Sequence, residues 1–239
     1  MLQLAGPVGP DRAAVVAVPG LGLSVQVPAR TLRRLQAVTA SAVVALPGYG
    51  VPGGGGAALD PPALAEHLLR RLDALGVARG VLVGHSASCQ IVVEAAVRSP
   101  DRVDGLVLVG PTTDPRADRW PRLAGRWLRT AAWERPHQVP LLVRDYARTG
   151  PARMARAMDA ARRHRIEEVL PLVRCPVLVV RGRHDRIAPG DWTAALAAAA
   201  SRGRAASLPA GAHMVPITHP RDLAAAIGPF LLRPGGAAG

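Results

Sequence analysis

Six short, continuous apolar runs constrain this chain more than any other feature: residues 13–18, 42–46, 80–83, 106–109, 177–180 and, more weakly, 205–208. Each is too brief for a helix, and none alternates apolar with polar residues as a half-exposed strand does. Continuous runs suit parallel strands covered on both faces. The stretches between them carry helical spacing. Asp60-Pro61-Pro62 reads as an N-cap with first-turn prolines, ahead of Leu64, Leu68, Leu69, Leu72 and Leu75, and Gly76 ends that helix. Residues 87–98 offer Ile91, Val92, Ala95 and Ala96 as a buried face, and a last helix covers 222–232, where Pro229 is tolerated only near a bend. This alternation predicts an α/β fold, a doubly wound, mainly parallel sheet of about six strands with helices on both faces.

One interval breaks the rhythm. About 65 residues separate the fourth run from the fifth, far more than one crossover helix needs. Helix-like pieces lie around 121–132, 139–149 and 152–169, with three of the four tryptophans (Trp120, Trp127, Trp133) and 14 of the 30 arginines nearby. We read 111–174 as a helical lid inserted into a core made of 1–110 and 175–233, and 234–239 as a flexible tail. The glycines at 53–56 form a flexible loop tip without the Lys-Ser/Thr of a phosphate-binding loop.

The third run continues as Val81-Leu82-Val83-Gly84-His85-Ser86-Ala87-Ser88 and turns into a helix. It resembles a nucleophile elbow, a strained strand-to-helix turn that lifts one serine hydroxyl above a parallel sheet. Ser88 stands where that motif usually has glycine, which makes the elbow's geometry the point to inspect. Downstream, Asp185 follows the fifth run in Val180-Arg181-Gly182-Arg183-His184-Asp185, and His213 lies in Pro209-Ala210-Gly211-Ala212-His213. Taken in that order over nearly the whole chain, these features resemble the α/β-hydrolase superfamily, in its serine-nucleophile, lid-containing, esterase-like branch.

The resemblance implies a catalytic triad of Ser86 as nucleophile, His213 as general base and Asp185 as its orienting acid. It places the oxyanion hole at the backbone N–H groups of Ala87 and Leu21, with Gly22 as fallback. The rivals are His219 for the base, Asp114 for the acid and Ser88 for the nucleophile. Gly20, Gly22, His85, Trp120 and Trp127 are expected at the substrate, with His184 facing away. The family commonly shows His-Gly where this chain has Pro19-Gly20, and only 12 residues precede Ala13, so the family's opening hairpin is mostly missing. The implied reaction is hydrolysis of a small-molecule carboxylic ester or thioester without metal or organic cofactor. Carbon–carbon bond hydrolysis and cofactor-free perhydrolysis fit the same residues, and a non-catalytic ligand-binding protein on the same fold is the reading from another class.

Charge points elsewhere and is set aside. The net charge of +13 comes entirely from arginine, for the chain has no lysine and no asparagine, the mark of a GC-rich coding sequence. The arginines are scattered and not interleaved with stacking aromatics, so nucleic acid is not expected as a partner. Residues 111–174 hold 14 arginines against seven acids; facing the crevice they would favour an anionic substrate, facing out they would form a solvated surface. Cys89 and Cys175 sit in apolar runs and read as buried free thiols. No secretory signal and no apolar stretch of membrane-spanning length is visible, so a cytoplasmic protein is expected.

Overall fold

The computed structural model describes residues 2–4, 14–52, 56 and 58–232. The expected tail at 234–239 and glycines 53–55 lie outside the described residues. In chain order the strands are β1 (Leu2–Leu4), β2 (Ala14–Val18), β3 (Ser41–Val43), β4 (Leu46–Pro47), β5 (Gly50–Val51), β6 (Gly80–His85), β7 (Val103–Val109), β8 (Val177–Gly182) and β9 (Gly203–Leu208). The helices are α1 (Gln26–Leu35), α2 (Pro61–Ala74), α3 (Ser88–Arg98), α4 (Trp120–Ala131), α5 (Val139–Thr149), α6 (Pro151–Arg163), α7 (Ile166–Val169), α8 (Gly190–Ala199), α9 (Val215–Thr218) and α10 (Pro220–Leu231).

Among the described residues the main sheet runs β1-β3-β2-β6-β7-β8-β9. Every neighbouring pair is parallel except β1–β3. All six apolar runs supply its parallel strands, and the short β1 stands where an opening hairpin was expected to be mostly missing. The chain winds from β2 outward to β3, then returns to β6 beside β2 and continues the other way. Loops leaving β2 and β6 therefore part in opposite directions and open a crevice at their carboxyl ends.

The strand side chains alternate between two cores. Leu106 and Leu108 of β7 pack with Leu64, Leu68, Ile91 and Leu196 beneath α2, α3 and α8. Val107 and Val109 pack with Leu32, Leu223 and Ile227 beneath α1 and α10. Asp60 caps α2 by accepting the Ala63 N–H at 3.0 Å. Pro229 lies inside α10, in its last turn, where its missing N–H costs one bond near the frayed end.

The long interval between β7 and β8 forms helices α4 to α7. Ile166, Leu170 and Val173 are buried in the main core with α3 and α8, as are Leu123 of α4 and Ala157, Met158 and Ala161 of α6. Cys89 is buried and Cys175 half-buried, both as free thiols. No described helix is long and apolar enough to cross a membrane.

Leu106 is fully buried at the centre of the sheet. Leu106→Ala should lower unfolding free energy by about 2–5 kcal/mol, whereas Arg204→Ala, exposed on edge strand β9, should change it by less than about 0.5 kcal/mol, both read by denaturant titration.

Candidate active site

Ser86 follows β6 directly and adopts φ +60°, a left-handed backbone that a non-glycine residue holds only when its surroundings enforce it. Its N–H donates to Val109 O at 2.9 Å, which ties the turn to the end of β7. A Cβ on Gly84 would stand 2.7 Å from Cys89 Cα and 2.8 Å from Cys89 N, so glycine there lets α3 pack onto β6. The departure at Ser88 strengthens the turn. Its buried Oγ accepts the His85 N–H at 2.7 Å and lies 3.0 Å from Val18 O and 2.9 Å from His85 O, between which its single proton is shared.

Three distant segments meet at this turn. His213 Nε2 lies 2.9 Å from Ser86 Oγ, and His213 Nδ1 lies 2.8 Å from Asp185 Oδ2. A carboxylate only accepts, so Nδ1 carries the proton and Nε2 is free to accept from the serine hydroxyl. Asp185 Oδ1 takes the N–H groups of Ile187 at 2.9 Å and Ala188 at 3.0 Å. Gly110, at φ +55°, leaves the room this pair needs: a Cβ there would come within 3.1 Å of both Asp185 Oδ2 and His213 Nδ1. Burial opposes protonation of His213, but the charge and hydrogen bond of Asp185, with the charge of Glu134 behind them, hold its pKa above the ordinary histidine value.

The rivals stand elsewhere. His219 Nδ1 pairs with Thr218 Oγ1 at 2.9 Å and its other nitrogen faces Arg135. Asp114 is buried against Arg116 and Arg126, each at 2.7 Å, while His213 Nδ1 is taken by Asp185. Burial tends to raise the Asp114 pKa, yet the hydrogen bonds from Arg116 and Arg126 hold it below the usual carboxylate value. His184 stacks on Trp133 with ring centroids 4.0 Å apart.

Among the described residues the N–H groups of Leu21 and Ala87 have no hydrogen-bond partner, whereas the Gly22 N–H is spent on Gly48 O at 2.8 Å. The fallback donor is thereby corrected. Around Ser86 and His213 lies a cavity of about 30 Å³ lined by Leu21, Leu23, Trp127, Tyr146, Met154, Met158 and Met214. Of the residues expected at the substrate, only Trp127 lines it. Trp120 is exposed with the Arg162 guanidinium over its ring, because nothing in the core reaches it. Gly20 packs against His85, and Gly22 lies behind Tyr146 and Met154 of the cavity wall; neither glycine lines the cavity itself. His85 is buried beneath His213, its Nε2 3.1 Å from His213 O, and so supports the His213 main chain. Among the described residues no arginine lines the cavity; Arg144, Arg162, Arg163 and Arg165 pair with neighbouring carboxylates.

One supporting residue escaped the sequence reading. Arg181, buried in β8, donates to the carbonyls of Arg183 at 3.0 Å, Asp185 at 2.7 Å and Ala188 at 2.8 Å, stapling the loop that carries Asp185. Its signal was an arginine placed directly after an apolar strand run. Among the described residues no group of three or more His, Cys, Asp or Glu side chains is arranged to hold a metal ion.

A family model described as the alpha/beta hydrolase family matches residues 15–226. A relative named "Putative carbamate hydrolase RutD" from Caulobacter sp. (strain K31) is 28% identical over 191 residues, covering 71% of each chain. Two solved structures share the fold. One is a thermophilic esterase from Thermogutta terrifontis (TM-score 0.77, 20% identity, 97% of this chain and 92% of that one). The other is the enol-lactonase from Burkholderia xenovorans LB400 (TM-score 0.73, 21% identity, 95% and 94%).

Burial, then the nearby His213, pushes the His85 pKa down to about 3, so folding excludes a proton that the unfolded chain binds below about 6.5. His213, with its raised pKa, acts in the opposite sense, but only near and above that value. Stability should therefore fall as pH drops from about 6 toward 3. His85→Gln should flatten that decline in melting temperatures measured across the range.

Proposed function

This chain belongs to the alpha/beta hydrolase family, and we propose that it is a serine hydrolase cleaving a carboxylic ester or thioester through an acyl-enzyme on Ser86. The observation that carries this reading is the chain of hydrogen bonds from Ser86 Oγ through His213 to Asp185, at 2.9 and 2.8 Å, on a left-handed turn.

In this mechanism His213 Nε2 takes the proton of Ser86 Oγ as the oxygen attacks the acyl carbon. The imidazolium that forms is stabilised by the Asp185 carboxylate, which Arg181 and two backbone amides keep in place. Negative charge on the former carbonyl oxygen meets the N–H groups of Leu21 and Ala87, a contribution of about 3 kcal/mol per donor. The proton on Nε2 then passes to the leaving alkoxide or thiolate, and the acyl–oxygen bond to Ser86 remains. Water, deprotonated by the same nitrogen, releases the acid and restores Ser86. The helices α4–α6 act as a lid over this centre, and the apolar lining favours an uncharged acyl group over the anionic one considered from the arginine count.

A second reading follows from the relative named as a carbamate hydrolase. A carbamate carbon is open to the same attack, with His213 protonating a departing amine, and its small acyl part suits a cavity of about 30 Å³.

A fluorophosphonate probe should label the wild type and leave Ser86→Ala unlabelled; a folded wild type that takes no label refutes the proposal. Esterase activity in Ser86→Ala should fall at least about a thousandfold. The base must be neutral to act, so kcat/KM should rise with pH through an apparent pKa above about 6.5, and Asp185→Asn should move that limb downward while cutting kcat by about a thousandfold or more.

A further inference from the structure

We infer that helices α4 and α5 with their connection set the geometry of the reacting groups as well as covering them, and that Thr130, Glu134 and Asp145 are positioning residues; this rests on the serine-hydrolase reading. Each of the three accepts one main-chain N–H from a different loop of the centre. Thr130 Oγ1 accepts from Arg186, the residue after Asp185, at 3.1 Å. Glu134 Oε1 accepts from Met214, the residue after His213, at 2.8 Å. Asp145 Oδ2 accepts from Ser24, three residues beyond Leu21, at 2.8 Å. Among the described residues no other acceptor reaches these amides.

The acceptors are themselves held. Glu134 Oε2 takes a hydrogen bond from the buried Gln138 side chain at 2.8 Å, and the Asp145 carboxylate, 1% exposed, pairs with Arg144. An apolar cluster joins Leu23 and Met214, from two of the loops, to Leu142 and Tyr146 of α5. Acid, base and oxyanion loops are thus tied to a single stretch of 16 residues that contains no reacting group.

With these bonds made, the cavity beside Ser86 is small, about 30 Å³, and is walled by Trp127 of α4 and Tyr146 of α5. A longer acyl group fits beside Ser86 only if these helices move, and such movement breaks the bonds that hold the three loops. Closure over the bound acyl group restores them, so assembly of the centre is coupled to the fit of the substrate. Selection then acts on kcat: short acyl groups let the helices close, and long ones bind without setting the loops. The substrate class is a short, uncharged acyl group.

The test compares Glu134→Ala and Asp145→Ala with Glu134→Gln and Asp145→Asn, which keep an acceptor oxygen. Gln138 Oε1 is unpartnered, so its amide can turn to meet the glutamine. Thr130→Val adds an arm that keeps the side-chain shape. Fluorophosphonate labelling, kinetics on acetyl to octanoyl esters, and amide hydrogen exchange at residues 24, 186 and 214 are measured on folded protein. We expect the alanine and valine variants to label about ten- to a hundredfold more slowly, with faster exchange in the loop concerned and kcat reduced more than KM is raised. The amide variants should recover most of that loss, and wild-type kcat should fall steadily with acyl length. Alanine and valine variants that label at the wild-type rate overturn this inference alone, as do amide variants as slow as alanine or a kcat indifferent to acyl length. A wild type that takes no label overturns the hydrolase reading and this inference with it.

Discussion

The left-handed turn at Ser86 is the constraint on which the rest of the site depends. It is held from both sides, by the pairing of β6 with β2 and β7 and by α3 packed against Gly84. The φ of +60° is costly for serine and persists because surrounding bonds hold the turn. The Ser86 N–H is anchored on β7, and the Ser88 hydroxyl joins the end of β6 to the end of β2. Strain is thus placed at the residue whose hydroxyl meets His213.

The other groups arrive by the same logic. Parallel strands deliver their following loops to one edge of the sheet, so residues far apart in the chain converge without special devices. What is special lies behind them. Arg181 binds three carbonyls of the Asp185 loop, His85 supports the carbonyl of His213, and the Gly22 N–H is spent on Gly48. These contacts restrict the loops from behind, which favours the ångström-level alignment the proposed reaction demands.

Electrostatics are confined in a similar way. Among the described residues the arginines, conspicuous in the composition, stay out of the cavity. Arg116 and Arg126 neutralise the buried Asp114, and Arg162 and Arg165 pair with carboxylates a few residues away in the chain. The centre keeps one negative charge at Asp185 with a second at Glu134, both of which favour the cationic form of His213.

The sequence by itself determined the β–α order, the parallel sheet, the elbow and the succession of Ser86, Asp185 and His213. Those features are written locally, in continuous apolar runs, in a turn that needs Gly84, and in short loops after strands. Only the tertiary structure decided that Ser88 reinforces the elbow, that Trp120 and His85 do not face the cavity while Trp127 does, and that Ile166, Leu170 and Val173 belong to the core. It alone brought Thr130, Glu134 and Asp145 to amides 56, 80 and 121 residues away. The reason is physical: side-chain spacing along a helix says which residues share a face, but the partner of that face is set by how distant elements pack.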